Sequence, residues 1–386
     1  MQTPSTCIAL TCAALLTAGT PLDVKADSFA IFSVQGQNSI RTLDTRTGQP
    51  VTGTLASGQT LSAAQRTGDQ LLYSVDGTWA THIVNPEPLE GPSANIYASN
   101  RSLGVTDAGA TGDAVGTLYN NTLGSPHALY HLAATGPTAI TTTNIHSVAV
   151  SKGTALVGRD NGQIHSYDLA TGTFSGNLIT GSMTVAAGAG DSGTFAFGFT
   201  AANNTSHSRV ATSPPLALVS GASTASLMLN AFGSQDVLLA TVGSNIVRFD
   251  SRSSTAFVTT ASGQALSHAV ALGNSNLFIL GTATGGTHRY DVDAGTYTTF
   301  SSVERLVSGF SFGDYALLGL LHTDGSGRTV LVDHNGSILS TVASSTGDAS
   351  AAYVIGAGTS YTVIPEPGSM TLLGLGGVLI LFRRRA

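Results

Sequence analysis

Residues 163–172 read QIHSYDLATG, and runs of the same shape return at 39–48 (SIRTLDTRTG), 245–254 (NIVRFDSRSS), 287–295 (THRYDVDAG) and 328–336 (RTVLVDHNG). Each is a short β-prone stretch that ends on an aspartate and runs into a polar turn, usually closed by glycine. Weaker relatives are ATHIVNPEP (80–88), GTLYNNTLG (116–124) and SHSRVATSP (206–214), in which Asn85, Asn120 and Ala211 take the anchor position. The eight anchors step by 41, 35, 48, 43, 39, 41 and 42 residues.

The residues around each anchor agree on one unit. Before it comes a second β-rich run: FAIFSV (29–34), LLYSV (71–75), ALVGR (155–159), VLLATV (237–242), LFILG (277–281) and ALLGLL (316–321). These runs are apolar almost without a break, which suits a strand covered on both faces. A further strand precedes some of them (IHSVAV, 145–150; HAVAL, 268–272), and another follows the anchor (TYTTF, 296–300; SILSTV, 337–342). Residues one before the aspartate (Leu43, Tyr167, Phe249, Tyr290 and Val332) are apolar or aromatic. Those two before (Thr42, Ser166, Arg248, Arg289 and Leu331) are mostly polar. That alternation belongs to a partly covered strand.

Four short strands per unit, with a period near forty, describe a propeller blade. The sequence therefore predicts an all-β fold: a single β-propeller of four-stranded antiparallel sheets over 27–362. Residues 349–362 (ASAAYVIGAGTSYT) form a half-repeat without its aspartate, and the first repeat starts abruptly at Phe29. Joined, they make a composite closing blade and eight blades in all, with seven as the alternative. The repeat resembles YVTN and quinoprotein-like propeller repeats, most closely at 145–179, a resemblance that bears on architecture rather than activity.

The recurring D-x-x-T-G or D-x-x-G is turn chemistry. An aspartate side chain accepts amide hydrogen bonds from residues two or three further on, and glycine supplies the left-handed position. Recurrence once per unit marks these aspartates as scaffold rather than catalysts or metal ligands.

Charge narrows the partners. Only 10% of residues are charged, against about a quarter in ordinary domains, and the chain carries a net −6. Without its two ends it holds 20 acids and 12 bases, and Lys25 and Lys152 are its only lysines. No basic run lies inside the body, so nucleic-acid binding is not expected. Both cysteines, Cys7 and Cys12, precede residue 27, which leaves the body without disulfides.

The two ends carry addresses. The N-terminal run from Cys7 to Gly19 is apolar, and Val24-Lys25-Ala26 places small residues at the −3 and −1 positions of a signal-peptidase site. Residues 1–26 are expected to be a Sec signal peptide cleaved after Ala26; a buried N-terminal helix is the competing assignment. At the other end stand Pro365-Glu366-Pro367, the uncharged stretch Gly368–Phe382, and Arg383, Arg384 and Arg385. Fifteen helical residues span about 22 Å at 1.5 Å each, short for a ~30 Å hydrocarbon core but extended by snorkelling arginines. A C-terminal hydrophobic transmembrane helix is predicted, with the arginines on the cytoplasmic side. Residues 363–386 resemble the PEP-CTERM sorting signal, with Ile364 where that family often has valine. The resemblance implies processing by an exosortase in a Gram-negative, exopolysaccharide-producing cell. It implies transient anchorage in the inner membrane and delivery to the outer surface or extracellular matrix.

Catalytic vocabulary is thin. Gly190-Asp191-Ser192-Gly193 echoes a serine-protease loop, but no partner segment supplies a base, and an inter-strand turn explains it. Asp291-Val292-Asp293-Ala294-Gly295 begins like a calcium loop but lacks the later acids. His127 and His131 would share zinc on a helix; on a strand they stand about 13 Å apart. His165 and His288 occupy equivalent positions and read as scaffold. A lone Trp79 cannot supply an indole per blade, which removes the pyrroloquinoline cofactor of quinoprotein dehydrogenases. No catalytic, cofactor or metal site is assigned, and no cofactor is expected. Two functions compete. The first is a non-catalytic surface or matrix module that binds glycan, protein or itself through loop faces, with polysaccharide or surface proteins as partners. The second is an extracellular propeller enzyme acting on sugars or lactones. The enzyme requires acids, histidine and arginine to converge at one channel mouth, for instance Arg159, Asp160, His165, Arg248 and Arg289.

Overall fold

A run such as YALLGLLH (315–322) has no polar face to offer water, so it must be sandwiched. In the computed structural model it is the second strand of a four-stranded sheet, buried along its first six residues. The structure describes residues 27–361 apart from connecting segments, the longest being 85–99; side chains are described chiefly within 27–84, 155–174 and 267–360. The described residues form eight antiparallel sheets, seven of four strands and one (61–84) of three. FAIFSV, LLYSV, ALVGR, VLLATV, LFILG and ALLGLL all fall in second strands, as expected.

Within a sheet, burial falls from the inside out. In the seventh sheet the second strand, Leu277–Thr282, is buried throughout but for its first residue, while the outermost, Thr296–Ser301, is exposed over its first four. Successive sheets are neighbours through their first strands, from the second sheet around to the eighth. The first sheet takes three strands from the start of the body (Asp27–Val34, Ser39–Asp44, Val51–Ser57) and its innermost strand, Val354–Tyr361, from the end. Ser28 Oγ and Ser360 Oγ meet at 3.3 Å across this junction. The composite sheet anticipated from the half-repeat is thus present, and Ala30, Phe32, Val34 and Leu43 pack with Leu317, Leu331 and Val354 between the first and eighth sheets.

One local device recurs. In the second to eighth sheets the innermost strand skips one residue against its partner, for example at Ser62, His146, Ser267 and Val307. Such a bulge bends the strand and adds twist. Beside the skip, the second strand carries a small residue: Ser74, Gly158, Gly198, Gly281 or Gly319. There the next sheet's incoming chain crosses at close range. A Cβ on Gly319 would stand 1.8 Å from Ala352 O, and one on Gly281 2.4 Å from Leu306 O.

Hydroxyls tie the crossing. Thr287, opposite Gly281, donates to Glu304 O at 2.6 Å, and Thr329, opposite Gly319, donates to Ala351 O at 2.7 Å. In the first sheet the hydroxyl moves to the other partner. Ser33 takes the glycine's place and accepts the Leu61 amide of the second sheet at 3.0 Å. These links satisfy backbone groups that the crossing would otherwise leave buried and unpaired.

Two sequence expectations need correction. Asn120 does not end a third strand: it closes the second strand of its sheet, Ala114–Asn120. Leu132, opposite Ala114, occupies the anchor position there, and the preference for a polar residue at the anchor concealed it. The expected polar face of the third strand is also incomplete. Thr42 and Leu331 are buried, because neighbouring sheets cover that strand on both sides near its end.

Gly319→Ala is expected to cost about 3 kcal/mol, since the Cβ meets a backbone oxygen that cannot yield. Gly325, with φ +85° and nothing within 4 Å of its Cβ position, is the control; Gly325→Ala should cost only the left-handed strain of about 1 kcal/mol. Urea unfolding of the two variants checks the difference.

Candidate functional site

The first strands that bend at the bulge surround a cavity of about 420 Å³. Its wall is built from the second sheet (Ala64, Arg66), the seventh (Ala269–Ala271, Gly273), the eighth (Gly309–Gly313) and the closing strand (Gly356–Gly358, Ser360). Small residues stand here for packing reasons. A Cβ on Gly356 would enter the Phe310 ring at 2.5 Å, and one on Gly358 would reach Phe312 Cβ at 2.1 Å. Backbone is therefore close to the cavity, with Ser311 and Ser360 as hydroxyl-bearing lining residues and Arg66 as the ionisable one. Such a wall can hold a ligand by main-chain hydrogen bonds and shape. Among the described lining residues there is no nucleophile paired with a base.

His268 precedes the lining residue Ala269 on the same innermost strand. Burial pushes its imidazole below the ordinary value, only partly opposed by a backbone hydrogen bond at Gly309.

The residues that the enzyme alternative requires do not gather at this mouth where they can be followed. His165 and Arg289 sit on third strands, in the fourth and seventh sheets, and do not line the cavity. His165 Nε2 lies 3.3 Å from Gln163 Oε1. Asp160 and the side chains of Arg159 and Arg248 lie outside the described residues, as do Trp79, Asp191 and Ser192. His127 and His131 fall on one strand, Ser125–Ala133. His165 and His288 do hold equivalent positions in their sheets.

The aspartates are turn anchors. Asp168 Oδ1 accepts the Thr171 amide at 2.8 Å, Asp291 Oδ1 those of Asp293 and Ala294 at 3.0 Å, and Asp333 Oδ1 those of Asn335 and Ser337 at 2.9 and 2.7 Å. The closing glycines Gly172, Gly295 and Gly336 all have positive φ, at 67°, 64° and 79°.

One ionic device had no signal in the sequence, because its members are 24 residues apart and belong to no motif. Glu304, buried at the start of the eighth sheet's first strand, receives Arg328 Nε at 2.6 Å and Nη2 at 2.8 Å, and the Ser301 hydroxyl at 3.1 Å. Burial alone raises the Glu304 carboxyl, but the Arg328 guanidinium and Ser301 outweigh it and hold the group below its ordinary 4.5.

The sorting residues Pro365, Glu366, Pro367, Arg383, Arg384 and Arg385, the cleavage residue Ala26, and the expected C-terminal helix lie outside the described residues. Among the described residues no helix is long and apolar enough to cross a membrane.

Comparison with known proteins addresses both parts of the chain. Residues 363–385 match the PEP-CTERM protein-sorting motif, which implies exosortase processing and sorting to the cell surface. No curated protein matches the sequence. The body is similar in fold to apo AztD from Citrobacter koseri, with a TM-score of 0.55 and 12% identity over 89% of this chain and 100% of that one. A second crystal structure of Citrobacter koseri AztD gives 0.54 and 12% over 88% and 100%. A structure from a study of two prolyl endopeptidases gives 0.53 and 12% over 74% of this chain and 49% of that one. At these identities the likeness is one of fold, and the body is propeller-like.

A carboxylate whose folded value is depressed adds stability above its unfolded value, and this is lost as pH falls through the folded one. Glu304→Gln should therefore lower stability at pH 7 by about 2 kcal/mol, Arg328 losing its bidentate partner. The gap to the unaltered protein should close below the ordinary 4.5 of the carboxyl. Thermal unfolding midpoints of both proteins at pH 7 and pH 3 check this.

Proposed function

We propose that this chain is an exported eight-bladed propeller of the cell surface or extracellular matrix, a non-catalytic binding or structural module associated with exopolysaccharide. The observation that carries the proposal is the sorting motif at 363–385, joined to a repeated-sheet body. Residues 1–26 act as the Sec signal peptide, removed after Ala26. Pro365-Glu366-Pro367 presents the chain to the exosortase, since proline removes amide donors and disfavours helix around Glu366. Gly368–Phe382 holds it briefly in the inner membrane of a Gram-negative cell, and Arg383, Arg384 and Arg385 keep the tail on the cytoplasmic side.

The cavity supports binding over catalysis. Main chain and small residues at its wall suit a hydroxylated or polymeric ligand, whereas hydrolysis of a sugar or lactone needs positioned acids and bases. A low-charge body also suits a crowded polysaccharide layer better than an electrostatic partner.

Expression of the full chain and of Glu366→Ala in an exosortase-bearing host tests the sorting role. The unaltered chain should lose its C-terminal segment, and the variant should retain it in at least nine-tenths of molecules, read by mass spectrometry of the C-terminus. Equal processing of the two would refute the assignment.

A further inference from the structure

Asparagine two residues before serine or threonine, with any residue but proline between, is the acceptor triplet for N-linked glycan. The chain holds five, at Asn100, Asn120, Asn203, Asn204 and Asn335. The triplet alone is common, and the context that marks a used one is a surface loop in an exported chain. Asn100 and Asn120 stand opposite each other in a strand pair, where the backbone is committed to the ladder. Asn203 and Asn204 lie outside the described residues. Asn335-Gly336-Ser337 has the required context. It lies in the turn between the third and fourth strands of the eighth sheet, and Asn335 and Ser337 are both exposed.

The turn does not account for the asparagine. Asp333 Oδ1 accepts the Asn335 amide at 2.9 Å, but Asp44 Oδ1 takes that of Arg46 at 2.9 Å and Asp291 Oδ1 that of Asp293 at 3.0 Å. Three different side chains thus serve one backbone bond. Left-handed geometry falls on Gly336, at φ +79°. The Asn335 carboxamide lies at the surface, its Nδ2 3.1 Å from Nε2 of the exposed His334. Of the five triplets only this one has an acid two positions earlier. Asp333 places both of its amide bonds, to Asn335 and Ser337, on Oδ1. Its other oxygen can give a basic groove a charge-assisted contact, which residues 98, 118, 201 and 202 cannot.

We propose that Asn335 is a site of N-glycosylation, taking an oligosaccharide from a polyprenyl-diphosphate carrier. In that transfer Asn335 Nδ2 bonds to the anomeric carbon, and the bond from that carbon to the diphosphate oxygen breaks. Polyprenyl diphosphate leaves with the electron pair, and one Nδ2 proton passes to a base of the transferase. The Ser337 hydroxyl supplies the hydrogen bond that orients the acceptor. An Asn-Gly pair has a competing reaction, in which the Gly336 nitrogen attacks the Asn335 carboxamide carbon and ammonia is lost. Here the Gly336 amide donates to Asp333 O at 2.9 Å, which holds it away from that attack. In the cell the transfer takes place outside the cytoplasm, so the inference rests on the proposed function for export.

Two arms of one experiment test it. In the first, the full chain is extracted in detergent and incubated with a bacterial oligosaccharyltransferase and a polyprenyl-diphosphate oligosaccharide, which makes the result independent of export. Mass spectrometry should find the glycan on the peptide containing Asn335 in at least half of the molecules. Asn335→Gln and Ser337→Ala should each reduce it at least tenfold, and Ser337→Thr should keep it. In the second arm the chain is made in an exosortase-bearing host that carries the same transferase. Glycan should then appear on Asn335 only in molecules that have lost residues 1–26. An Asn335 left unmodified by the first arm would overturn the inference. So would transfer to another triplet in its place, or conversion of Asn335 to aspartate without glycan. Glycan in the first arm, with residues 1–26 retained in the host, would uphold the acceptor and refute export.

Discussion

The fold depends on one close crossing, where the chain entering each new sheet passes over the second strand of the sheet before it. That passage demands a residue with almost no side chain, which Gly281 and Gly319 supply, and a hydroxyl to meet the exposed carbonyl, which Thr287 and Thr329 supply. In the first sheet the roles are redistributed between Ser33 and Ile40, so a serine both leaves room and makes the link. Facing positions beside the skip in the second and fifth sheets also hold a hydroxyl-bearing residue: Ser74 with Thr81, and Ser206 with Gly198. The pairing of a small residue with a hydroxyl thus recurs in repeats whose sequences otherwise diverge.

Much of the architecture was legible because it rests on local rules. An aspartate that caps its own turn and a second strand with no polar face are each visible within about ten residues, and their recurrence gives a period near forty. The composite first sheet was legible for a complementary reason, since 349–362 lacks what the first repeat has and the first repeat lacks what 349–362 has. Asn120 misled because a polar residue after an apolar run looks like an anchor wherever it stands. Only pairing shows that Leu132 takes that place. Burial of Thr42 and Leu331 was hidden because neighbouring sheets impose it: Leu331 packs with Ala30, Phe32 and Val354, from both ends of the body.

The candidate site was the least legible part. Its wall is drawn from four sheets and consists mainly of glycine and alanine, residue types that carry no chemical signature in a sequence already rich in both. The Glu304–Arg328 pair was invisible for the same reason, being defined by strand registry and not by any pattern along the chain. By contrast the C-terminal address is a linear motif over 363–385, and so sequence alone displays it. The chain thus divides into a destination written in one dimension and a candidate site written in three.

Bringing Ser28 beside Ser360 joins positions 332 residues apart. Contacts of such range bear the full entropic penalty of closing a very long loop, which slows the step that makes them. A chain threaded from its N-terminus through any narrow passage would stay an open arc, with the first sheet missing its innermost strand, until nearly the last residue of the body had emerged. Completion of the ring is thus a late step set by topology, and until it occurs the edge of Asp27–Val34 stands without its neighbour.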